Sequence, residues 1–348
     1  MSADLGQLAV RLSHLLGEDA VASGHRYGLV VRPASAGHVQ IVVRECAAAG
    51  VPVSSGYGDP APDLALVDTS RLRRIIEVDA GNQRAVVEPG VPVAALAVAL
   101  ALDGYRYAAG GATVGDAVAG NHGGVHCRKY GAAARQVTGV ELCMPDGQLV
   151  WLGGGKAAEA PGYDLAGLVV GAQGSLGIPT KVAVRLLRVP EALVTVLAAF
   201  RRGEDAGAAV SAINAAGVDV AALRLLATAG DEPGYPLGAA AVLLADCDGP
   251  AAEVEVQVAD VELVCRRAGA FAVRSAADER ERAEAWRHAT AERERVEVRG
   301  RPAPAAAQAG ARDRDLASMR LVRQAFDPRG LFDPRSDLPA PRRCGQPW

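Results

Sequence analysis

Apolar positions in this chain recur with two periods, and each period marks an element. Residues 4–16 carry them at helical spacing and predict a short helix. Residues 28–32, Gly-Leu-Val-Val-Arg, read as a strand stopped by Pro33. Residues 36–49 set Val39, Val42, Val43 and Cys46 on one helical face, and Val51-Pro-Val53 reads as a second short strand. Residues 28–54 therefore predict a βαβ unit. Short strands follow at 63–67, 74–78 and 84–87, the last two joined by the turn Asp79-Ala-Gly-Asn82. Residues 92–102 predict a helix ended near Gly104. A hairpin spans 137–144 and 148–152 across Pro145-Asp-Gly147, and a strand covers 181–188.

Beyond Pro190 the pattern becomes a simpler alternation. Strands are predicted at 193–200, 239–245 and 270–274, and helices at 204–216, 251–268 and 278–295. Residues 302–310 are Ala/Pro-rich and read as a linker. Residues 313–326 predict a last helix before a turn-rich tail. The organisation expected is an N-terminal helix at 1–26, a first domain at 27–189, a second at 190–300, and a linker, helix and tail at 301–348. The alternation of strands and helices in the second half suggests an α+β or α/β unit.

Composition narrows the function classes. The chain has 348 residues, enough for about two domains. Half of it is hydrophobic, which excludes wholesale disorder. The formal net charge is −3, so no basic face is offered to nucleic acid. No apolar run reaches the roughly 18 residues of a membrane helix, and residues 1–17 lack the basic and apolar regions of a signal peptide. Six cysteines occur without a C-x-x-C pair, which suits a cytoplasmic protein with reduced thiols.

The 40 glycines are clustered. One dense loop runs over 110–124 and another over 171–177, about 60 residues further on, each beside a strand. Glycine clusters let backbone approach a ligand or another backbone, and successive amides in such loops form anion-binding concavities. Two such loops suit a diphosphate and a flat ring; the alternative is a pair of tight turns. The G-x-G-x-x-G dinucleotide fingerprint is absent, which disfavours a nicotinamide site.

The order of longer motifs points to a family. Val-Val-Arg-Pro-Ala-Ser-Ala-Gly-His-Val (30–39), Ala-Val-Val-Glu-Pro-Gly-Val (85–91), the run from Thr113 to Gly131, and the run from Gly162 to Thr180 come in sequence. Together they resemble the FAD-binding domains of the vanillyl-alcohol oxidase and p-cresol methylhydroxylase (PCMH-type) family, in its glycolate oxidase D-subunit branch. The likeness continues at 199–210, 241–249 and 326–334. The resemblance implies a two-lobed PCMH-type FAD-binding domain followed by a smaller, truncated α+β cap domain for substrate. It implies non-covalent FAD and hydride transfer from a small 2-hydroxy acid such as glycolate or D-lactate, other oxidase subunits being conceivable partners. On this resemblance Gly56, Gly58, Thr113, Val114, Gly115, Gly123, Gly124 and Gly131 line the cofactor from one side. Gly171, Gly174, Ser175, Leu176, Gly177 and Ile178 line it from the other.

Several positions depart from that pattern. The family's R-G-x-G-T phosphate loop is replaced by Ser54-Ser-Gly-Tyr-Gly-Asp-Pro-Ala-Pro62, which has no arginine and adds Asp59. Asp116 adds a second carboxylate, and both would repel a diphosphate. The histidine-rich motifs H-x-G-D-G-N-x-H and G-E-H-G are missing. Weak FAD binding and near-background turnover are expected from these losses, with no catalytic residue assigned. The alternative function is a catalytically impaired FAD-domain scaffold or accessory subunit. His122 and His126 read as loop histidines near a ligand rather than as a metal site, and a covalent flavin link at His126 or Cys127 stays open. Tyr130 and Tyr163 suit either the ring or the core, Arg287 suits a substrate carboxylate, and residues 278–295 read as a solvated charged helix.

Overall fold

The computed structural model describes residues 3–24, 26–56, 60–154, 162–230, 234–298 and 313–334. They fall into two compact units, with the chain passing from one to the other between Arg188 and Val189. The first unit holds residues up to Gly124, 132–188 and 313–334; the second holds 125–131 and 189–298.

Apart from the two-stranded pair Tyr105–Arg106 and Leu187–Arg188, the first unit is built on two sheets. The smaller has the strand order Val21–Ser23, Leu29–Val31, Ala65–Val67, Val53–Ser54. Its first pair is antiparallel and the others are parallel. The expected βαβ crossover is there, with the strand Ala65–Val67 inserted between its two strands. Its helix, Ala36–Ala48, starts at Ser35, whose hydroxyl accepts from the His38 amide at 3.1 Å. The predicted face of Val39, Val42, Val43 and Cys46 is fully buried, against Leu5, Leu8 and Leu12 of the helix Ala3–Leu16.

The larger sheet is antiparallel, in the order Ile75–Asp79, Arg84–Val87, Ile178–Arg185, Val137–Cys143, Leu149–Gly153. Both predicted hairpins are present. At the second, Gly147 has φ +77, and its carbonyl accepts from Gln40 and Arg44, which ties the hairpin to the helix Ala36–Ala48.

The last helix, Asp313–Phe326, and the turn after it belong to this unit. The Val53 amide donates to Leu331 O and the Asp333 amide to Val53 O, both at 2.8 Å. Phe332 is thereby fully buried beside the strand Val53–Ser54.

The second unit is one antiparallel four-stranded sheet, ordered Ala222–Gly230, Ala239–Gly249, Ala192–Phe200, Ala272–Ala276. The helices Gly203–Ala215 and Ala251–Arg267 cover one core, and Ala285, Trp286 and Ala289 of the helix Glu279–Val298 pack into another. The strand Ala222–Gly230 was not among the predicted elements. Its Ala- and Leu-rich run has helix-forming propensity, and its pairing with Ala239–Gly249 overrides that preference. No helix among the described residues is long and apolar enough to cross a membrane.

Candidate functional site

Three loops of the first unit meet. Thr113 caps the helix Val114–Gly120 by accepting from the Asp116 amide at 3.1 Å, and Asn121 ends that helix in the left-handed region. The second glycine loop is laced onto this helix: Gly171 N donates to Val118 O at 2.8 Å and Gln173 N to Ala119 O at 3.0 Å. Ser55, from the third loop, donates its hydroxyl to Gln173 O at 3.0 Å. Between them lies a cleft of about 250 Å³. Ser55, Gly56, Thr69, Thr113, Gly115 and Gly174 supply backbone and hydroxyls to its walls, and Leu66, Pro89, Ala119, Ile178 and Pro179 supply apolar surface.

The cleft brings together Gly56, Thr113, Gly115, Gly174 and Ile178 of the residues expected to hold the cofactor. The others lie elsewhere. Val114 is fully buried in the core of the larger sheet. Gly123 forms bridges with Ala109 and Ala132, and a Cβ on Gly124 would lie 2.3 Å from Ala108 O. Gly171 and Gly177 adopt positive φ in the second loop. Ser175 is buried with its hydroxyl on Ala172 O, and Leu176 is buried beside it. Gly131 falls in the second unit. Gly58 and Asp59 lie outside the described residues.

The loop amides are largely spent within the chain. Gly56 N donates to Ser54 Oγ, Gly115 N to Pro89 O, Ser175 N to Ala172 O, and Ser55 N to the carboxylate of Asp333. Two of the glycines hold the cleft walls at their spacing. A Cβ on Gly115 would lie 2.8 Å from Pro89 Cβ, and one on Gly174 2.1 Å from Ser55 Oγ. Here the glycines serve close approach of backbone to neighbouring chain, one of the two uses their clustering allows.

Two carboxylates, Asp68 and Asp116, line the cleft, and each is already partnered. Asp68 accepts from Arg32 Nε and from the Ser70 amide, both at 3.0 Å. Asp116 caps the Ala112 amide at 3.0 Å, and its other oxygen is 3.7 Å from His122 Nε2. These contacts drain part of the repulsion toward a diphosphate that the bare sequence suggests. The cleft fits FAD in its glycine-set width, its apolar floor and the hydroxyls of Thr69 and Thr113. Its volume suits part of a dinucleotide rather than the whole, since small-molecule sites run to about 300–1,000 Å³.

Sequence reasoning missed Ser55, Thr69 and Asp333 at this site, because no local motif marks them. Asp333 is buried, and burial pushes its carboxyl above the ordinary aspartate range despite bonds from Ser54 and Ser55. In the second unit, His126 Nε2 lies 2.8 Å from Asp246 Oδ2, and the Tyr130 hydroxyl donates to Asp248 at 2.8 Å. Tyr163 is 96% exposed and Arg287 is exposed. No cluster of metal-ligating side chains occurs among the described residues.

Comparison with known proteins agrees with this geometry. Residues 28–153 match the FAD binding domain family, and residues 189–307 match the C-terminal domain of FAD linked oxidases. The glycolate oxidase subunit GlcD of Escherichia coli strain K12 is 34% identical over 278 residues, 74% of this chain and 56% of that protein. GlcD of Bacillus subtilis strain 168 is 34% identical over 226 residues, 60% of this chain and 47% of the relative. A D-lactate dehydrogenase of Archaeoglobus fulgidus is 30% identical over 190 residues, 51% of this chain and 43% of the relative. The chain thus spans about half the length of the curated relatives it matches. Among solved structures, substrate-bound p-cresol methylhydroxylase superposes with a TM-score of 0.67 at 18% identity, covering 82% of this chain and 69% of that one. With its PCMH-type fold, its FAD-binding domain and its C-terminal oxidase domain, the chain belongs to the FAD-linked oxidase family.

Proposed function

We propose that this chain is an FAD-dependent oxidoreductase that oxidises a small 2-hydroxy acid of the glycolate or D-lactate kind. The observation that carries the reading is the three-loop cleft inside the FAD-binding domain, with Gly56, Thr113, Gly115, Gly174 and Ile178 on its walls. Those residues, with the hydroxyl of Thr69, would hold the cofactor. FAD, when bound, supplies the two-electron acceptor for a C–H bond. The chain's own contribution is shape and screening. Gly115 and Gly174 let the neighbouring wall segments approach closely, the apolar floor excludes water, and Arg32 offsets the charge of Asp68. GlcD is named as a subunit, which supports work in a complex with other oxidase subunits. Five free cysteines and no disulfide among the described residues support a cytoplasmic location.

A second reading, a scaffold or accessory subunit without turnover, draws on one observation: the loop amides are engaged within the chain. Anaerobic mixing of the FAD-loaded chain with glycolate or D-lactate separates the two. Loss of the flavin's visible absorption with either acid supports the enzyme; an unchanged spectrum with both, at stoichiometric FAD, supports the scaffold.

A further inference from the structure

The strand Val53–Ser54 is an edge of the smaller sheet of the first unit, and the C-terminal turn lies along it. Phe332 bridges Val53 in parallel, and Asp327 accepts from the Leu331 and Phe332 amides at 2.9 and 2.7 Å. Phe332 is buried in one cluster with Val53 and Ile178, so packing as well as hydrogen bonding sets the turn. Asp333 is thereby held directly behind the cleft wall. Its Oδ2 meets the Ser55 amide and hydroxyl, and a Cβ on Gly174 would lie 3.5 Å from that oxygen. Ser55, Gly56 and Gly174 face the cleft.

The hydrogens available at Ser55 do not suffice for an ionised Asp333. The Ser55 hydroxyl has one hydrogen and two acceptors in reach, Asp333 Oδ2 at 3.1 Å and Gln173 O at 3.0 Å. Asp333 Oδ1 is buried without a hydrogen-bond partner among the described residues, and the residue as a whole is 2% exposed. A buried charge with one oxygen orphaned is costly. A proton on Oδ2 answers both defects. The acid then donates to Ser55 Oγ, the Ser55 hydrogen goes to Gln173 O, Oδ2 keeps a lone pair for the Ser55 amide, and Oδ1 bears no charge. Burial favours the same form. The charged group that acts on the carboxyl is Arg323, whose Nη2 donates to the Phe332 and Asp333 carbonyls. The strand Val53–Ser54, Ser55 and the Gln173-Gly174 stretch contribute no titratable side chain.

We propose that Asp333 is a positioning residue of the cofactor cleft and serves there as a neutral acid, so that FAD binding is linked to the uptake of one proton by its carboxyl. This rests on the reading of the cleft as the FAD site. The neutral acid ties the C-terminal turn to Ser55 and, through it, to the second glycine loop, and it sets no charge behind the wall. The ionised form leaves one of the Ser55 contacts unmade and repels a diphosphate. By linkage, bound FAD strengthens the hold of Asp333 on its proton as much as the proton strengthens FAD binding.

The test is titration of FAD into the full chain from about pH 5 to about pH 8. The ratio of the wild-type dissociation constant to that of Asp333→Asn should rise at least about fivefold across the range, within the roughly tenfold per pH unit that one proton allows. Asp116 and His122 are common to both proteins and cancel in the ratio. Phe332→Leu, which loosens the turn through packing alone, should weaken FAD binding by one factor at every pH. Calorimetry in two buffers of unlike ionisation enthalpy counts the protons. At the alkaline end the wild type should take up more protons per FAD than Asp333→Asn, by up to about one. If Asp333→Asn does not fold, Asp333→Ala takes its place in both measurements. A ratio constant with pH, or equal proton uptake, overturns the role of Asp333 and leaves the proposed function standing. Loss of the pH dependence in Phe332→Leu as well would assign it to a loosened turn and overturn the role too. A wild type that binds no FAD at any pH overturns the proposed function, and this role with it.

Discussion

Asp333 and Ser55, 278 residues apart, share two hydrogen bonds through one carboxylate oxygen: Oδ2 accepts from the Ser55 amide at 3.2 Å and from its hydroxyl at 3.1 Å. The same hydroxyl lies 3.0 Å from Gln173 O, so while Asp333 is ionised its one proton is shared between the carboxylate and that carbonyl. The C-terminal turn is thus joined to the loop that would face a diphosphate and to the second glycine loop. Arg323 donates to the Phe332 and Asp333 carbonyls and holds this turn from behind.

Asp333 makes the pH dependence of stability run against the usual carboxylate direction. Burial raises its folded pKa above the ordinary value of 3.8, so the folded state binds more protons than the unfolded one in that window. Stability contributed by this group is full below 3.8 and falls as pH rises through the raised value. Asp333→Asn should remove that fall. Denaturant melts of the two proteins from pH 4 to 7 should diverge upward. At pH 7 the variant should melt at the higher temperature. Equal melting curves across the range would contradict the burial argument.

The charge of Asp116 is expected to weaken cofactor binding in the cleft. It stands on the cleft wall, and its carboxylate is 33% exposed and engaged with the Ala112 amide. Solvent and that bond reduce the repulsion from the severe penalty suggested by sequence to the range of an exposed pair, about 1 kcal/mol or less. Asp116→Asn keeps an acceptor for the Ala112 amide and removes the charge. It should tighten FAD binding by up to about fivefold in fluorescence titration, with the gain shrinking at high salt. An unchanged dissociation constant would show that the phosphates bind elsewhere.

The thiols divide by burial. Desolvation pushes Cys46, Cys143 and Cys247 up to about 12 and Cys265 up to about 11, so at pH 8 none presents a thiolate. Cys127 is only half-buried. Brief treatment of the native chain with iodoacetamide, followed by peptide mapping, should label Cys127 and spare those four until denaturant is added. Labelling of Cys247 in the native chain would mean that the core of the second unit opens readily.

What sequence revealed was local. The hairpin at 137–153 announces itself in Pro-Asp-Gly, and the capped helix at 36–48 in Ser35 and one apolar face. The two glycine loops are local too, and the cleft forms where they meet. What sequence hid was decided at long range. Nothing near residue 65 says that its strand inserts between the two strands of the crossover. The partners of Asp246, namely Thr195, Trp286 and His126, come from three distant segments, so a lone aspartate in an apolar run carries no motif. The same holds for Ser55 and Asp333. The glycines misled in part, because Gly115, Gly124 and Gly174 are small for the sake of neighbouring chain, and only the first and third also face the cleft.

Gly174 offers the sharpest test of the three-loop cleft as the seat of FAD. Its φ is +78, and a Cβ there would lie 2.1 Å from Ser55 Oγ, so any side chain displaces the wall that Ser55 and Asp333 build. Calorimetric titration of FAD into the wild-type chain and into Gly174→Ala, with circular dichroism to establish that the variant is folded, is the deciding measurement. One FAD per wild-type chain, and at least tenfold weaker binding in the folded variant, is the expected result. Equal affinity in the two proteins would place the cofactor outside this cleft and contradict the account.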